Sequence, residues 1–151
     1  MKNPFDLSEK KILVTGASSG LGKQTAIALS HLGADLFLSA RNTEKLEETN
    51  SQLVGNNHTI IPCDLTDESA IENLVENLSP LNGIVFSAGI SQIVPAGFIT
   101  KSDLDKNMDI GFDSAVLLFS RLIRRKKLVK DNCSIIFISS ISTSYPFVGG
   151  A

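Results

Sequence analysis

The sequence predicts an α/β fold with a doubly wound parallel sheet, and two observations support this fold class. Short β-branched runs alternate with helical segments along the whole chain, which is the rhythm of right-handed strand–helix–strand crossovers. The strands are apolar on both faces, as expected of a sheet that helices cover on both sides. The length of 151 residues fits one domain, and a hydrophobic content of 42% is enough for a core.

Five strands and four helices follow from the hydrophobic pattern and its interruptions. The expected strands cover residues 11–15, 35–39, 59–62, 83–87 and 133–139. The expected helices cover residues 21–32, 43–53 and 67–78, and a long fourth helix runs from residue 102 to about residue 127. Gly33 ends the first helix, and Thr66 or Asp67 is the expected N-cap of the third.

Charge and composition argue against several function classes. The formal net charge is −2, from 14 Lys and Arg against 16 Asp and Glu, so there is no electrostatic reason to expect nucleic acid or an anionic membrane as partner. A basic cluster at residues 124–127 is interpreted as a solvated helix end. No apolar run approaches the length of a membrane span, and the N-terminus lacks the apolar region of a secretory signal, so we expect a cytoplasmic protein.

The cysteines and histidines carry no recognisable site pattern. Cys63 and Cys133 each lie beside an apolar run and form no Cys-x-x-Cys or Cys/His spacing, so we expect reduced thiols with neither a metal site nor a disulfide. His31 and His58 have no partner at metal or catalytic spacing and are expected at the surface.

A glycine-rich turn between the first strand and the first helix carries the strongest functional signal. Gly16 lets the chain turn sharply off the strand, while Gly20 and Gly22 allow the backbone to approach a diphosphate and the helix to pack against the sheet. The amides and the positive dipole end of the helix then face the phosphates. Because no Gly-Lys-Ser/Thr closes the turn, it is not a Walker-type loop. The pattern predicts a dinucleotide diphosphate site formed by Gly16, Ser18, Ser19, Gly20, Leu21 and Gly22.

The end of the second strand indicates which dinucleotide is preferred. An NAD-preferring site usually places an acid here to bind the ribose 2′-hydroxyl, but this chain has Ala40 followed by Arg41. A guanidinium pairs well with a 2′-phosphate, and Asp35 lies at the other end of the strand. The sequence therefore favours NADP(H) over NAD(H). The alternative is that Arg41 is a solvated residue at a strand end.

Three further segments follow the third, fourth and fifth predicted strands: Cys63-Asp64-Leu65, Ser87-Ala88-Gly89 and Ile138-Ser139-Ser140-Ile141. Together with the Thr-Gly-x-x-x-Gly-x-Gly spacing of the turn, they resemble the short-chain dehydrogenase/reductase family, which has a Rossmann-type fold. The bacterial 3-oxoacyl-acyl-carrier-protein reductase type is the most similar. The resemblance implies that Asp64 meets the adenine ring and that Ser140 is the catalytic serine, with Ser139 as the runner-up. It further implies cofactor contacts for Leu65, Ser87, Ala88 and Gly89.

Two features depart from the family's pattern. The asparagine that the family carries in the helix after the fourth strand is Gly111 here. The family's catalytic Tyr-x-x-x-Lys follows the serine by about a dozen residues, which falls just past Ala151 when counted from Ser140. Tyr145, the single tyrosine, comes too early and has Gly149 at its +4 position, so it is expected to be a loop residue.

The resemblance implies an oxidoreductase that transfers a hydride between nicotinamide and a carbonyl or alcohol substrate, and that assembles as a homo-oligomer. Residues 1–151 are then one NAD(P)-binding domain that is incomplete at its C-terminus, truncated after the fifth strand, and nearly inactive without the tyrosine. Residues 90–98 and Phe147 are expected to line the substrate pocket. The fifth strand is expected to be an apolar edge that invites pairing with another chain. Two alternatives remain open, a non-catalytic dinucleotide-binding module and a prematurely stopped gene.

Overall fold

Five strands and five α-helices make up the part of the chain that the computed structural model describes, residues 3–90 and 94–140. The strands are β1 (Lys11–Thr15), β2 (Asp35–Ser39), β3 (Thr59–Ile60), β4 (Gly83–Phe86) and β5 (Ser134–Phe137). The helices are α1 (Gly20–His31), α2 (Thr43–Asn50), α3 (Glu68–Asn77), α4 (Lys101–Met108) and α5 (Ser114–Arg124), and a short 3₁₀ turn covers Ala96–Phe98.

All five strands belong to one parallel sheet in the order β3–β2–β1–β4–β5. The sheet grows from β1 in one direction through β2 and β3, and then in the other through β4 and β5. This order confirms the predicted doubly wound α/β fold. It also creates a crevice beyond the carboxyl ends of β1 and β4, which is where open parallel sheets bind ligands.

Separate hydrophobic cores lie on the two faces of the sheet, because successive side chains of a strand point to opposite faces. One face packs against α3 and α5, and its core includes Leu13, Ile84, Leu74 and Leu118. The other face packs against α1 and α2, and its core includes Val14, Leu38, Ala26 and Leu46. The helices therefore cover both faces, as the apolar strands predict.

The third strand is shorter than predicted, since β3 proper is confined to two residues. Pro62 follows it in a position where an amide would face away from β2, so its missing amide hydrogen removes no bond to β2. The amides of Ile61 and Cys63 donate to the carbonyls of Leu38 and Ala40, at 2.9 and 3.1 Å. These two bonds hold the segment parallel to β2 as far as the sheet's carboxyl end.

The second helix also ends early, at Asn50 rather than at residue 53. The Ser51 hydroxyl and the Gln52 side-chain amide both donate to the Glu48 carbonyl, at 2.9 and 3.1 Å. These side chains take the place of the backbone donors that would continue the helix. β4 and β5 end one and two residues before their predicted limits.

A wide turn divides the long fourth helix of the prediction. Residues Asp109–Asp113 form a π-helical turn between α4 and α5, at a point that the hydrophobic periodicity does not mark. Single π turns inside helices are often found at functional sites. The helix ends at Arg124, before residue 127, because Lys126 has a left-handed backbone (φ +54°) that cannot continue it.

The basic cluster at 124–127 lies at the end of α5 and is mostly exposed, as predicted, but its cations also bind to α3. Arg124 and Arg125 pair with the Glu72 carboxylate of α3, at 2.6 and 3.3 Å. Arg121, one turn earlier, pairs with the same carboxylate at 3.1 Å. The Lys127 ammonium donates to the last carbonyls of α3. The cluster therefore ties α5 to α3, although each partly exposed pair is worth only about 0–1 kcal/mol.

His58 likewise differs from its expected surface position. It is half-buried, and both ring nitrogens have partners: Nδ1 accepts from the Leu36 amide at 3.2 Å, and Nε2 donates to the Val54 carbonyl at 3.1 Å. This pattern requires the proton on Nε2. The ring therefore joins the loop before β3 to β2, which is a structural role.

The outer strand β5 is the most exposed part of the sheet. Ile136 is 51% exposed and Phe137 is 56% exposed, and β5 has a neighbour on one side only within the described residues. The predicted apolar edge is therefore present in that part of the chain. Of the helices described for residues 3–90 and 94–140, none has the length and apolar character that a membrane crossing requires.

We expect Leu74→Ala to lower the free energy of unfolding by about 2–5 kcal/mol, because it leaves a cavity in the core between α3 and the sheet. Leu74 is 0% exposed, whereas Val54, the control, is 51% exposed. Val54→Ala is expected to change the stability by less than about 0.5 kcal/mol. Urea unfolding of the two variants measures both values, and equal losses would contradict the assignment of this core.

Candidate functional site

A cleft of about 800 Å³ opens at the carboxyl ends of the strands, at the crevice between β1 and β4. It is lined by backbone and side chains from five consecutive strand ends. Every residue predicted from the sequence to bind the cofactor lines it except Gly22, as does Ser140. These lining residues are Gly16, Ser18, Ser19, Gly20, Leu21, Arg41, Asp64, Leu65, Ser87, Ala88, Gly89 and Ser140.

The glycine turn forms one wall of the cleft and is closely packed from behind. Gly16 has a left-handed backbone (φ +66°), and a Cβ atom on it would lie 2.8 Å from the Ser87 carbonyl oxygen. Gly22 lies behind the turn rather than on the cleft wall. A Cβ atom there would lie 2.3 Å from the Gly16 carbonyl oxygen. Both positions therefore require glycine for close backbone packing.

The front of the same turn is open. Gly20 also has a left-handed backbone (φ +52°), but a Cβ atom on it would have no neighbour within 4 Å. Ser19 is the N-cap of α1, and its side chain makes no capping hydrogen bond. The first amides of α1 are thus presented at the cleft, where the helix dipole favours an anion.

Thr15 joins the glycine turn to the neighbouring strand end. Its buried hydroxyl accepts from the amides of Ser87 and Ala88, at 3.2 and 3.3 Å, and its nearest acceptor is the Val85 carbonyl at 3.5 Å. The two strand ends on either side of the crevice are therefore held at a fixed separation. Thr15 is part of the sequence motif, but its contacts follow from the β1–β4 pairing and not from the motif.

The rim beyond β2 carries positive charge. Arg41 lines the cleft, together with Asn42 and Lys45, which the sequence analysis did not single out. Asn42 is the N-cap of α2, and its side chain accepts from the Lys45 amide at 2.8 Å. An N-cap at residue 42 places Lys45 in the first helical turn, close to the strand end. That spacing is the signal that could have identified Lys45.

Asp64 lies in a tight local turn on the opposite wall. Its carboxylate accepts from the Thr66 amide and hydroxyl, at 3.0 and 2.8 Å. These hydrogen bonds hold the pKa of Asp64 below its usual range, and the Arg41 charge contributes in the same direction. The carboxylate therefore stays ionised and faces the cleft as an acceptor. Asp67, one of the two expected N-caps, does cap α3.

Cys63 lines the cleft as a buried thiol. Burial raises the pKa of Cys63 to about 11, and the nearby carboxylates of Asp64 and Asp67 act in the same direction. The thiol is therefore neutral at physiological pH and acts as a small apolar surface. Within residues 3–90 and 94–140, no three Cys, His, Asp or Glu side chains converge as they would around a metal ion.

The far end of the cleft is formed by the chain leaving β5 and by the π turn. Ser139 and Ser140 both line this end, so the structure does not separate the preferred serine from the runner-up. Gly111 of the π turn lies between this cleft and an adjoining apolar cavity of about 370 Å³. A Cβ atom on Gly111 would meet nothing within 4 Å. Close packing therefore does not require a glycine at the position where the family carries an asparagine.

Several expectations fall outside the described residues. Tyr145 and Phe147 both lie beyond residue 140, and the expected pocket segment 90–98 is described only in part, because residues 91–93 are excluded. The geometry of the cleft therefore rests on the strand ends, the π turn and α2. Together with the start of α1, these place amides and cations at the ends of β1 and β2, and two serines at the end of β5.

We expect Cys63 to resist alkylation in the native protein. With a pKa of about 11, its thiolate fraction at pH 8 is roughly a hundredfold below that of an unshifted thiol, and alkylation requires the thiolate. Iodoacetamide labelling followed by peptide mass spectrometry measures the rate at Cys63. The same peptide labelled in urea is the control, and equal rates in the two conditions would contradict the assigned environment.

Comparison with known proteins gives the family. A family model described as short chain dehydrogenase matches residues 10–151. The 3-oxoacyl-acyl-carrier-protein reductase FabG of Rickettsia conorii is 36% identical over 138 residues, which is 91% of this chain and 56% of that protein. This chain thus spans little more than half the length of that relative.

Solved structures agree with this result. A dehydrogenase/reductase from Sinorhizobium meliloti 1021 superposes with a TM-score of 0.87 at 29% identity, over 97% of this chain and 60% of that one. The closed form of a serine dehydrogenase complexed with NADP⁺ superposes with a TM-score of 0.78 at 25% identity, over 92% of this chain and 57% of that one. The sequence match, the sheet order and the position of the cleft agree, and the chain belongs to the short-chain dehydrogenase family of oxidoreductases.

Proposed function

We propose that the whole protein is an NADP(H)-dependent oxidoreductase that transfers a hydride between nicotinamide and a carbonyl or alcohol carbon. The observation that carries this proposal is the open, uncapped N-terminus of α1 at the glycine turn, directly at the crevice between β1 and β4. Backbone amides and a helix dipole at this position suit a diphosphate. Gly16, Ser18, Ser19, Gly20 and Leu21 would hold it, and Gly22 would support the turn from behind.

The remaining parts of a dinucleotide fit the rest of the cleft. Asp64 and Leu65 are available to the adenine on one wall, with the ionised carboxylate of Asp64 as a hydrogen-bond acceptor. Ser87, Ala88 and Gly89 line the stretch beyond the diphosphate, towards the nicotinamide end. The order of these groups along the cleft matches the order of groups in an extended dinucleotide. The cofactor would supply the hydride, and the protein supplies its position.

Arg41 and Lys45 support NADP(H) rather than NAD(H) as the cofactor. Two cations at the rim beyond β2 can pair with a ribose 2′-phosphate, whereas Ala40 offers no carboxylate to a 2′-hydroxyl. The serine dehydrogenase of 25% identity was solved as a complex with NADP⁺. Both facts favour the phosphorylated dinucleotide.

Ser140 is proposed to hydrogen-bond the substrate oxygen, with Ser139 as the alternative. The family's proton donor is a tyrosine in a Tyr-x-x-x-Lys motif, and residues 1–151 contain no such motif. The activity is therefore proposed for the whole protein. The natural gene product should oxidise NADPH in the presence of a carbonyl compound, and a 3-oxoacyl thioester is the first substrate to test because the Rickettsia relative is named for it. Residues 1–151 have a mass of 16.2 kDa. The intact mass of the natural gene product should be measured first, because a larger value means that the assayed protein is longer than these residues.

A non-catalytic dinucleotide-binding module is the second candidate. Gly111 favours it, because the π turn offers no side chain where the family carries an asparagine. Binding of NADPH by the natural gene product without turnover of any carbonyl or alcohol would support this candidate over the enzyme. Turnover would exclude it.

We expect Arg41→Ala to raise the Kd for NADPH about tenfold or more, since a charge-assisted bond to a phosphate is lost. The Kd for NADH should change by less than about twofold, because NADH has no 2′-phosphate. Fluorescence titration of both cofactors measures the two constants. Arg125→Ala, which removes an equal charge on the side of α3, is the control and should leave both constants unchanged. Equal losses for NADPH and NADH would contradict the role of Arg41.

The proposed enzyme assembles with further copies of itself through α4 and α5. One side of α5 packs on the sheet through Ala115, Leu118 and Leu122. Large apolar side chains along α4, the π turn and α5 are instead about half exposed, namely Leu104, Met108, Phe112, Val116 and Ile123. A stripe of this length is unusual on a surface that contacts only water, and it suits the same stripe on a second copy.

We expect Met108→Lys to weaken assembly of the natural gene product, because a buried, unpaired ammonium is costly at an interface. Light scattering coupled to size exclusion measures the mass at several concentrations. Val54→Lys makes the same change at an equally exposed apolar residue away from the stripe, and its mass should match the wild type. A Met108→Lys protein with the wild-type oligomeric mass would contradict this surface.

A further inference from the structure

Ala17 is the residue of the glycine turn that is held most firmly. It is 0% exposed, and its amide donates to the Ser39 carbonyl at the end of β2, at 3.2 Å. Its carbonyl oxygen accepts from the hydroxyl of Thr49 in α2, at 3.0 Å. Both peptide groups that flank the Ala17 Cα atom are therefore held, and both bonds lead to the segment that carries Arg41 and Lys45.

The hydroxyl of Thr49 has one hydrogen and two acceptors at the same distance. The Lys45 carbonyl lies at 3.0 Å, but it is also an acceptor in the regular hydrogen-bond repeat of α2. For the Ala17 carbonyl, Thr49 is the donor found among residues 3–90 and 94–140. A buried carbonyl without a donor is costly, so the hydroxyl is required more at Ala17 than at Lys45.

The position of Ala17 decides where the following amides point. Gly16 before it has a left-handed backbone that other residues rarely adopt, and Ser18 and Ser19 after it lead directly into the open N-terminus of α1. Without the bond from Thr49, rotation of the Ala17–Ser18 peptide would relieve the unpaired carbonyl and move those amides. The preorganisation of the turn for an anion would be lost with little change to the rest of the sheet.

We infer that Thr49 is a positioning residue for the dinucleotide diphosphate: its side-chain hydroxyl fixes the Ala17 carbonyl and thereby the amides of the glycine turn. It acts from the second helix, outside the glycine motif, and it does not line the cleft. The inference rests on the proposed dinucleotide binding. Thr49 also connects the glycine turn with the rim at Arg41 and Lys45, which is proposed to bind the ribose 2′-phosphate, because Thr49 lies one helical turn after Lys45.

The test compares Thr49→Val, which keeps the shape of the side chain and removes the donor, with Thr49→Ser, which keeps the donor. The Kd for NADPH should rise about tenfold in Thr49→Val, equivalent to about 1.4 kcal/mol, and should return to within about threefold of wild type in Thr49→Ser. The Kd for adenosine 2′-monophosphate, which has no diphosphate, should stay within about twofold in both variants. Titrations use the natural gene product.

Ser30→Ala is the matched control. Ser30 is 1% exposed and its hydroxyl accepts from the Val54 amide at 3.1 Å, so it also joins α1 to the segment after α2, at the far end from the turn. Its loss should lower the midpoint of thermal unfolding and leave the Kd for NADPH unchanged. If Thr49→Val does not fold, Thr49→Ala removes the same hydroxyl without placing a methyl group against the carbonyl, and the same affinities are expected.

The outcomes separate the inference from the proposed function. A folded Thr49→Val protein with the wild-type Kd for NADPH would overturn the inference, as would an equal loss of adenosine 2′-monophosphate binding. An equal loss of NADPH binding in Ser30→Ala would reduce Thr49 to a structural residue and overturn it as well. Wild-type protein that binds neither NADPH nor NADH would instead overturn the proposed function on which the inference rests.

Discussion

The close contact between backbones at Gly16 is the constraint on which the rest of the site depends. Gly16, where the chain leaves β1, packs against the Ser87 carbonyl, and Gly22 in the first turn of α1 packs against the Gly16 carbonyl. Neither contact leaves room for a Cβ atom. This packing fixes where α1 begins, and the start of α1 fixes where its free amides are presented. An anion site of this kind is therefore formed by backbone, and side chains serve mainly to hold that backbone in place.

Two buried threonine hydroxyls provide that support, one towards β4 and one towards α2. Thr15 holds the strand end that carries Ser87 and Ala88, and Thr49 holds the carbonyl of Ala17. Each uses a side chain with few rotamers, so little conformational entropy is lost in forming these bonds. The turn is thus connected to β4, one neighbour of β1 in the sheet, and to α2, the helix that follows the other neighbour, β2. A ligand that spans the cleft would contact three elements whose separations are already fixed.

The cleft is polar at the ends of β1 and β2 and becomes apolar towards β5. Phosphates and a polar base fit the first region, which contains Arg41, Lys45, the ionised Asp64 and the free amides of α1. The adjoining cavity at Gly111 is instead lined mainly by apolar groups such as Phe112 and Phe137. The π turn widens the helix at the boundary between these two regions. Chemistry at the serine end would therefore take place next to an apolar surface, which suits a substrate with an aliphatic part.

The amino-acid pattern alone was enough to predict the fold class, the five strands along the chain, and the glycine turn with Arg41, Asp64, Ser87 and Ser140 after the strands. These follow from local periodicity and from the rule that parallel strands bring their carboxyl ends to one edge. The sequence did not predict the contacts made by Thr15 and Thr49, the π turn at Asp109–Asp113, or the pairing of the basic cluster with Glu72. Each of these depends on a partner far away in the chain or on a single inserted residue, and local patterns carry no information about either.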